Sequence, residues 1–206
     1  MSEILREIVT GLKKPRTGWI NRDIPEEIAE TVFSHIKKVV RAAKIFGRNI
    51  PELNYDRFCK MGVYHDLAEY SEEDYTPGQI SLEEKHQRER AVIELLRDKL
   101  GRGQEIYDIW MEFEEGITLE SKLMIQLDKL DAAVQALDYE EQGFSKVVDF
   151  YPYTQAKLSH PVLQNIFTIL LQKEFRHISF FEQYLLLLEL QGDEDIFRQR
   201  MKSTQK

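Results

Sequence analysis

Along most of the chain apolar residues recur every three or four positions, and no stretch of useful length alternates apolar and polar residues as a half-buried strand would. Glu3 to Leu12 predicts a short helix with Ile4, Leu5, Ile8 and Leu12 on one face. Pro25, followed by Glu26 and Glu27, reads as a helix start, and the stripe Ile28, Val32, Ile36, Val39, Ala43 carries that helix to about Phe46. Met61, Val63, Tyr64, Leu67 and Ala68 fit the apolar face of a further short helix. Ser81 with Glu84 is a capping box that opens a helix closed by Gly101 and Gly103. Glu105–Gly116 predicts another, and Thr118 caps one whose stripe is Leu119, Leu123, Leu127, Leu130, Val134 and Leu137. Phe144–Ser159 reads as loop-rich. Pro161 starts a long last helix to about Leu190, apolar on most faces, and a polar tail follows that predicts a short frayed helix. No repeat or low-complexity tract interrupts this pattern, so the class is all-α, one domain over residues 1–206.

Composition narrows the partners. The chain has 206 residues, 42% hydrophobic and 31% charged, enough for one sizeable core. Its net charge of −8 disfavours a nucleic-acid backbone, so an anionic ligand must meet a local cluster of Arg or Lys. The single cysteine, Cys59, cannot close an internal disulfide and suits a reducing cytoplasm. The most apolar run, Phe180–Leu190, is short and interrupted by Glu182, Gln183 and Glu189, so no membrane span is expected. A last helix apolar nearly all round is buried or sits at an interface, which motivates a homodimer.

The chemistry concentrates in MGVYHDLAEYSEEDYTP, Met61 to Pro77, where His65, Asp66, Glu69 and Asp74 fall within ten residues. Glu69 lies one turn beyond His65, and a loop past the helix end could bring Asp74 back over the same spot. Imidazole and carboxylate groups converging in this way suit a divalent metal that activates water, although acids after a helix are often only solvated. Upstream, PRTGWINRDIP sets Arg16 and Arg22 around Trp19; the segment could grip a phosphate and stack a base or sugar, or be an exposed basic loop with Trp19 as a core anchor. His35 falls inside an apolar stripe, where histidine is more often a hydrogen-bonded core residue than a ligand. Asp128 lies beside Leu127 in mid-helix, solvated at the edge or bound to something.

Four blocks of the sequence, PRTGWINRDI, PEEIAETVFSHI, HDLAEYSEEDYTP and EFEEGITLESKLMIQLDKLDAAVQALDYEE, together resemble the HD-domain phosphohydrolases, within them the 5′-deoxynucleotidase-like branch, in the same order between Pro15 and Glu141. The resemblance implies an HD-domain helical bundle that holds a divalent ion (Mn, Co, Mg, Zn or Fe) with His65, Asp66 and Asp128. It further implies Arg16 on the substrate phosphate, with Trp19 near the sugar and Arg22 in the same loop, and Glu69 and Asp74 assisting the attacking water and the leaving oxygen. The substrate class implied is a nucleoside 5′-monophosphate, or a related small phosphate ester.

The sequence departs from the family pattern in three places. Thr31 stands where the family's A-E-H motif has its first metal histidine, and a neutral hydroxyl is a far weaker ligand than imidazole. The loop before Pro25 looks shorter than the family's, which would let His35, one turn further on, stand in. Glu73 replaces the glycine before Asp74. The Thr31 departure also motivates an alternative to the enzyme: a catalytically weakened HD protein kept as a nucleotide-binding or regulatory module.

Overall fold

The computed structural model describes residues 3–71 and 81–203, and among these every regular element is helical. In order these are α1 (Glu3–Gly11), α2 (Thr17–Ile20), α3 (Val32–Phe46), α4 (Tyr55–Tyr64), α5 (Leu82–Lys99), α6 (Gly103–Glu115), α7 (Leu119–Glu141), α8 (Phe150–Lys157), α9 (Pro161–Leu171), α10 (Phe180–Glu189) and α11 (Glu194–Ser203), with 3-10 turns at Gly47–Asn49, Leu67–Tyr70 and Ser145–Asp149. The 23-residue α7 is the axis of the bundle. Thr118 caps it through the Ser121 N–H, and α3, α4, α6, α8, α9 and α10 pack around it. Its Leu123, Met124, Leu127, Leu130, Val134 and Leu137 are buried in the main core with Phe46, Phe58, Phe167 and Tyr184. A second cluster joins α1, α3, α5 and α6 through Ile8, Val32, Ile93 and Trp110.

Four expectations change on contact with tertiary structure. The helix expected from Pro25 begins at Val32. Residues Pro25–Ala29 form a turn, because the Ile28 and Ala29 N–H groups both return to the Pro25 carbonyl. The Tyr139 hydroxyl then donates to the Ile28 carbonyl at 3.0 Å and accepts from the Glu30 N–H at 2.7 Å. These bonds take up the backbone groups that a helix would have used. Thr31 is extended and its hydroxyl accepts from the Ser34 N–H at 3.1 Å, which makes it the N-cap of α3.

The long last helix is two. Lys173 adopts φ 52° after α9, and α10 restarts at Phe180 with Ser179 as its cap. Gln183 Nε2 fills the gap by donating to the carbonyls of Phe175 and Ile178 at 3.0 and 2.8 Å. The apolar faces of α10 meet α3, α7 and α9, so packing within the chain accounts for the composition that motivated a homodimer. Phe144–Ser159, expected as loop, contains a 3-10 turn and α8. The tail helix α11 is docked by Phe197 and Met201, buried at 1% and 3% exposure, four residues apart on one face.

One close approach positions the site. The C-terminus of α1 abuts the 3-10 turn Leu67–Tyr70, and a Cβ at Gly11 would lie 1.9 Å from the Tyr70 carbonyl oxygen. Only glycine lets the two backbones meet there.

Candidate metal centre

Three helices deliver a set of ionisable side chains to one buried point. His35 comes from the inward face of α3, and Asp128 and Asp131 come from α7, one turn apart and interleaved with its apolar stripe. Helix α4 stops at Tyr64, earlier than the apolar pattern suggests. His65 is its C-cap, and Asp66 leaves helical geometry at φ −105°, ψ 15°. Consecutive residues on a helix point about 100° apart. The break at Asp66 brings both side chains to the same point, with Asp66 Oδ2 3.4 Å from His65 Nε2.

The protonation pattern follows from the hydrogen bonds. His65 Nδ1 lies 3.0 Å from the Gly62 carbonyl, which can only accept, so the proton of a neutral ring is on Nδ1. His35 Nδ1 lies 2.8 Å from Asp131 Oδ2, and the same reasoning applies. With both rings neutral, the two Nε2 atoms, 3.4 Å apart, turn their lone pairs inward. His35 Nε2 is also 3.1 Å from Asp128 Oδ1 and 3.5 Å from Asp66 Oδ2. Lone pairs and carboxylate oxygens do not converge on one point unless a positive charge joins them.

A divalent ion fits this demand. Donors about 2.1 Å from one ion and at right angles to each other lie about 3 Å apart, close to the spacings seen here. His35, His65 and Asp66 form a group able to hold an ion, and Asp66 Oδ2 is buried without a hydrogen bond among the described residues. The histidine Nδ1 partners, a carboxylate and a carbonyl, are those that orient metal-bound imidazoles. In the metal-free chain a proton takes the same place. Burial and the charge of Arg16 oppose protonation of His35, but its bonds to Asp128 and Asp131 outweigh them and raise its pKa to about 9. Burial likewise opposes ionisation of Asp66, and the two histidines outweigh it and hold the carboxyl below its usual range.

The structure separates the other residues singled out in the sequence. Glu69 is buried at 3% exposure on the 3-10 turn that follows Asp66. Asp74 and Glu73 lie outside the described residues. Arg16 Nη1 lies 3.6 Å from Glu30 Oε2, on the Nδ1 side of His35. Trp19, expected near a sugar, is 1% exposed; its ring packs on Tyr139 and Phe150 and its Nε1 donates to Glu30 Oε2 at 3.2 Å. A ring so enclosed is the core anchor of the loop and offers no face to a ligand. Arg22 grips Asp149 with two hydrogen bonds of 2.8 Å and lies 4.3 Å over the Phe150 ring, so its fork is already occupied. Thr31, as cap, has its hydroxyl committed to backbone, and the α3 residue that reaches the cluster is His35.

Four further residues join the same network, Asp131, Lys38, Lys129 and Lys85. Asp131 and Lys38 follow Asp128 and His35 by three positions, a spacing that puts each pair on one helix face. Lys38 Nζ contacts Glu30 Oε1 at 2.5 Å and Asp131 Oδ2 at 3.7 Å. Lys129 Nζ lies 2.7 Å from Asp128 Oδ2. Lys85, on α5, pairs with Glu89 at 3.0 Å; burial opposes its charge, but Glu89, Glu69 and Asp66 hold its pKa above the usual lysine value.

An all-helical bundle with paired His and Asp donors at its centre defines the HD domain, and the family model of the HD domain matches residues 11–168. The chain belongs to the HD-domain family. It is 37% identical to 5′-deoxynucleotidase HDDC2 of Xenopus laevis over 163 residues, covering 75% of this chain and 78% of the relative. It is 34% identical to 5′-deoxynucleotidase HDDC2 of Homo sapiens, over 75% of this chain and 76% of that one. Among solved structures, a conserved hypothetical protein from Pyrococcus furiosus superposes with a TM-score of 0.66 at 24% identity, covering 86% of this chain and all (100%) of that chain. A Pyrococcus horikoshii OT3 protein gives 0.62 at 22% identity, over 91% and 99%. At these identities the two structures speak for the fold alone.

Proposed function

We propose that this HD-domain protein is a divalent-metal-dependent phosphohydrolase that releases phosphate from a deoxynucleoside 5′-monophosphate. The observation that carries the reading is the convergence of His35 Nε2, His65 Nε2 and Asp66 Oδ2, with Asp128 Oδ1 3.1 Å from His35 Nε2. The relatives named as 5′-deoxynucleotidases supply the substrate class.

In this reading His35, His65, Asp66 and Asp128 hold the ion. A bound divalent ion supplies Lewis-acid stabilisation of phosphoryl charge and makes water more acidic. Glu69, buried beside Asp66, takes or orients a proton of the attacking water, and Asp74 serves the leaving oxygen. Arg16 meets the phosphate, fixed in place by Glu30. Trp19 acts indirectly, by anchoring that loop. The alternative of a weakened regulatory module was motivated by a missing imidazole at Thr31, and His35 provides one. No helix among the described residues is long and apolar enough to cross a membrane. A cytoplasmic setting accords with the single thiol, Cys59.

The test is phosphate release from a panel of ribo- and deoxynucleoside 5′-monophosphates with added manganese or cobalt. The parent is expected to release phosphate only with metal, Asp66→Ala to lose both metal and activity, and Glu69→Gln to lose turnover with little change in KM. No metal-dependent release by the parent across the panel would sink the proposal.

A further inference from the structure

The exposure of the cluster shows where a substrate enters. The side chains of His35, His65 and Asp131 are 0% exposed and that of Asp128 is 5%, whereas Asp66 is 16% and Lys129 32% exposed. Solvent reaches the donors past Asp66 and Lys129.

Lys129 is held at this opening in a defined way. Asp128 divides its carboxylate, Oδ1 toward His35 and Oδ2 toward the Lys129 ammonium at 2.7 Å. An ammonium has three donors, and the ion pair uses one. The side chain as a whole is one-third exposed at the edge of the donor cluster. Helix α8 is tied to this point, because Thr154 Oγ1 donates to the Lys129 carbonyl at 3.1 Å. The preceding residue, Tyr153, lies within electrostatic reach of Lys129 and is 46% exposed. Lys157 Nζ stands 5.7 Å over its ring and adds positive charge to the same rim. In a chain of net charge −8 two ammonium groups and a half-exposed aromatic ring thus stand near a buried donor cluster.

We propose that Lys129 and Tyr153 form the substrate-binding edge of the metal centre, the Lys129 ammonium taking a phosphoryl oxygen and the Tyr153 ring stacking the nucleobase. The division of labour matches the chemistry of a nucleotide. A phosphate needs charge next to the ion, and a base needs a planar apolar face that every base can use. This assignment rests on the phosphohydrolase reading for its substrate class, but its test is a binding measurement that does not require turnover.

The experiment titrates manganese-loaded protein with two probes, inorganic phosphate and a non-hydrolysable phosphonate analogue of a deoxynucleoside 5′-monophosphate, and follows bound manganese separately. Lys129→Gln should weaken both probes about tenfold with manganese content unchanged, and Lys129→Arg should restore them. Tyr153→Ala should weaken the nucleotide analogue at least about fivefold and leave inorganic phosphate alone, while Tyr153→Phe keeps the face and the affinity. Loss of manganese in Lys129→Gln would make the lysine a support for Asp128 and overturn its phosphate role. Equal weakening of both probes by Tyr153→Ala, or of neither, would overturn the base platform. A parent that binds the analogue without releasing phosphate from any nucleotide would defeat the phosphohydrolase reading and leave this edge standing.

Discussion

The two sides of the His35 ring meet similar residues and come to opposite arrangements. At Nδ1 lie Asp131 and Glu30, which with His35 form a group close enough to hold an ion; at Nε2 lie His65, Asp66 and Asp128. On the Nδ1 side the chain supplies the positive charge itself. Lys38 bridges Glu30 and Asp131 and bonds Gln135 Oε1 at 2.9 Å, and Arg16 stands over Glu30. On the Nε2 side, among the described residues, Lys129 pairs with Asp128 Oδ2 and stays at the outer edge. Clustered acids and imidazoles alone therefore do not distinguish a metal centre from an ion-pair network. The distinction is whether the sequence has already supplied the counter-charge.

The largest effect that tests this contrast is the removal of that counter-charge. Lys38→Met leaves buried Glu30 with Arg16 alone and buried Asp131 with His35 alone, and should cost about 3–5 kcal/mol in denaturant unfolding. Full stability would break the contrast, and a second equivalent of manganese in the variant would sharpen it, by showing that the lysine alone had kept an ion out. Next comes the link between the two sides. Asp131→Asn keeps the shape but weakens the hold on the His35 Nδ1 proton, and should lower metal affinity about 10–100-fold in a metal titration. Unchanged affinity would mean that the Nδ1 side has no influence across the ring.

The contrast also has a pH signature. His35 is raised from 6.5 to about 9 in the metal-free chain, so the stability its protonation confers is fully present below pH 6.5 and is lost as pH rises through about 9. With an ion at Nε2 the ring is neutral and the loss should vanish. Unfolding midpoints from about pH 6 to about pH 9.5, with metal and with chelator, give the two curves; parallel curves would refute proton–metal exchange. The smallest effect concerns Thr31→His. It should cost about 1 kcal/mol through the lost cap and leave metal affinity as it was, since position 31 faces backbone. Tighter metal binding in this variant would place residue 31 on the cluster.

The residues of the cluster were unequally legible in the sequence. His65 and Asp66 stand out as an adjacent imidazole and carboxylate in an acidic stretch, whereas Asp128, beside Leu127 in mid-helix, reads as solvated or bound until the family resemblance assigns it to the metal. His35 was visible only as a polar residue on an apolar stripe, and its role was obscured by counting the helix from Pro25. The turn at Pro25–Ala29 depends on the Tyr139 hydroxyl, 109 positions from Glu30, so no local pattern could announce it. The break after α9 falls at a lysine with positive φ, without the glycine or proline that usually marks such a turn. Trp19 could be read either way from composition; its burial depends on Tyr139 and Phe150, which arrive from distant segments. The helical class, by contrast, was written in spacing alone, since the caps at Ser81, Thr118 and the Pro161 start are local.

The contact at Gly11 ties the first helix to the chemistry. A single added methyl group, 1.9 Å from the Tyr70 carbonyl, cannot be absorbed by a side-chain rotation, because the atom it meets is backbone. The turn that must yield is the one carrying Glu69. Position 11 is thus a mechanical input to the proposed proton-handling residue and to Asp66, which opens the same turn, and an alanine there would register as slower turnover.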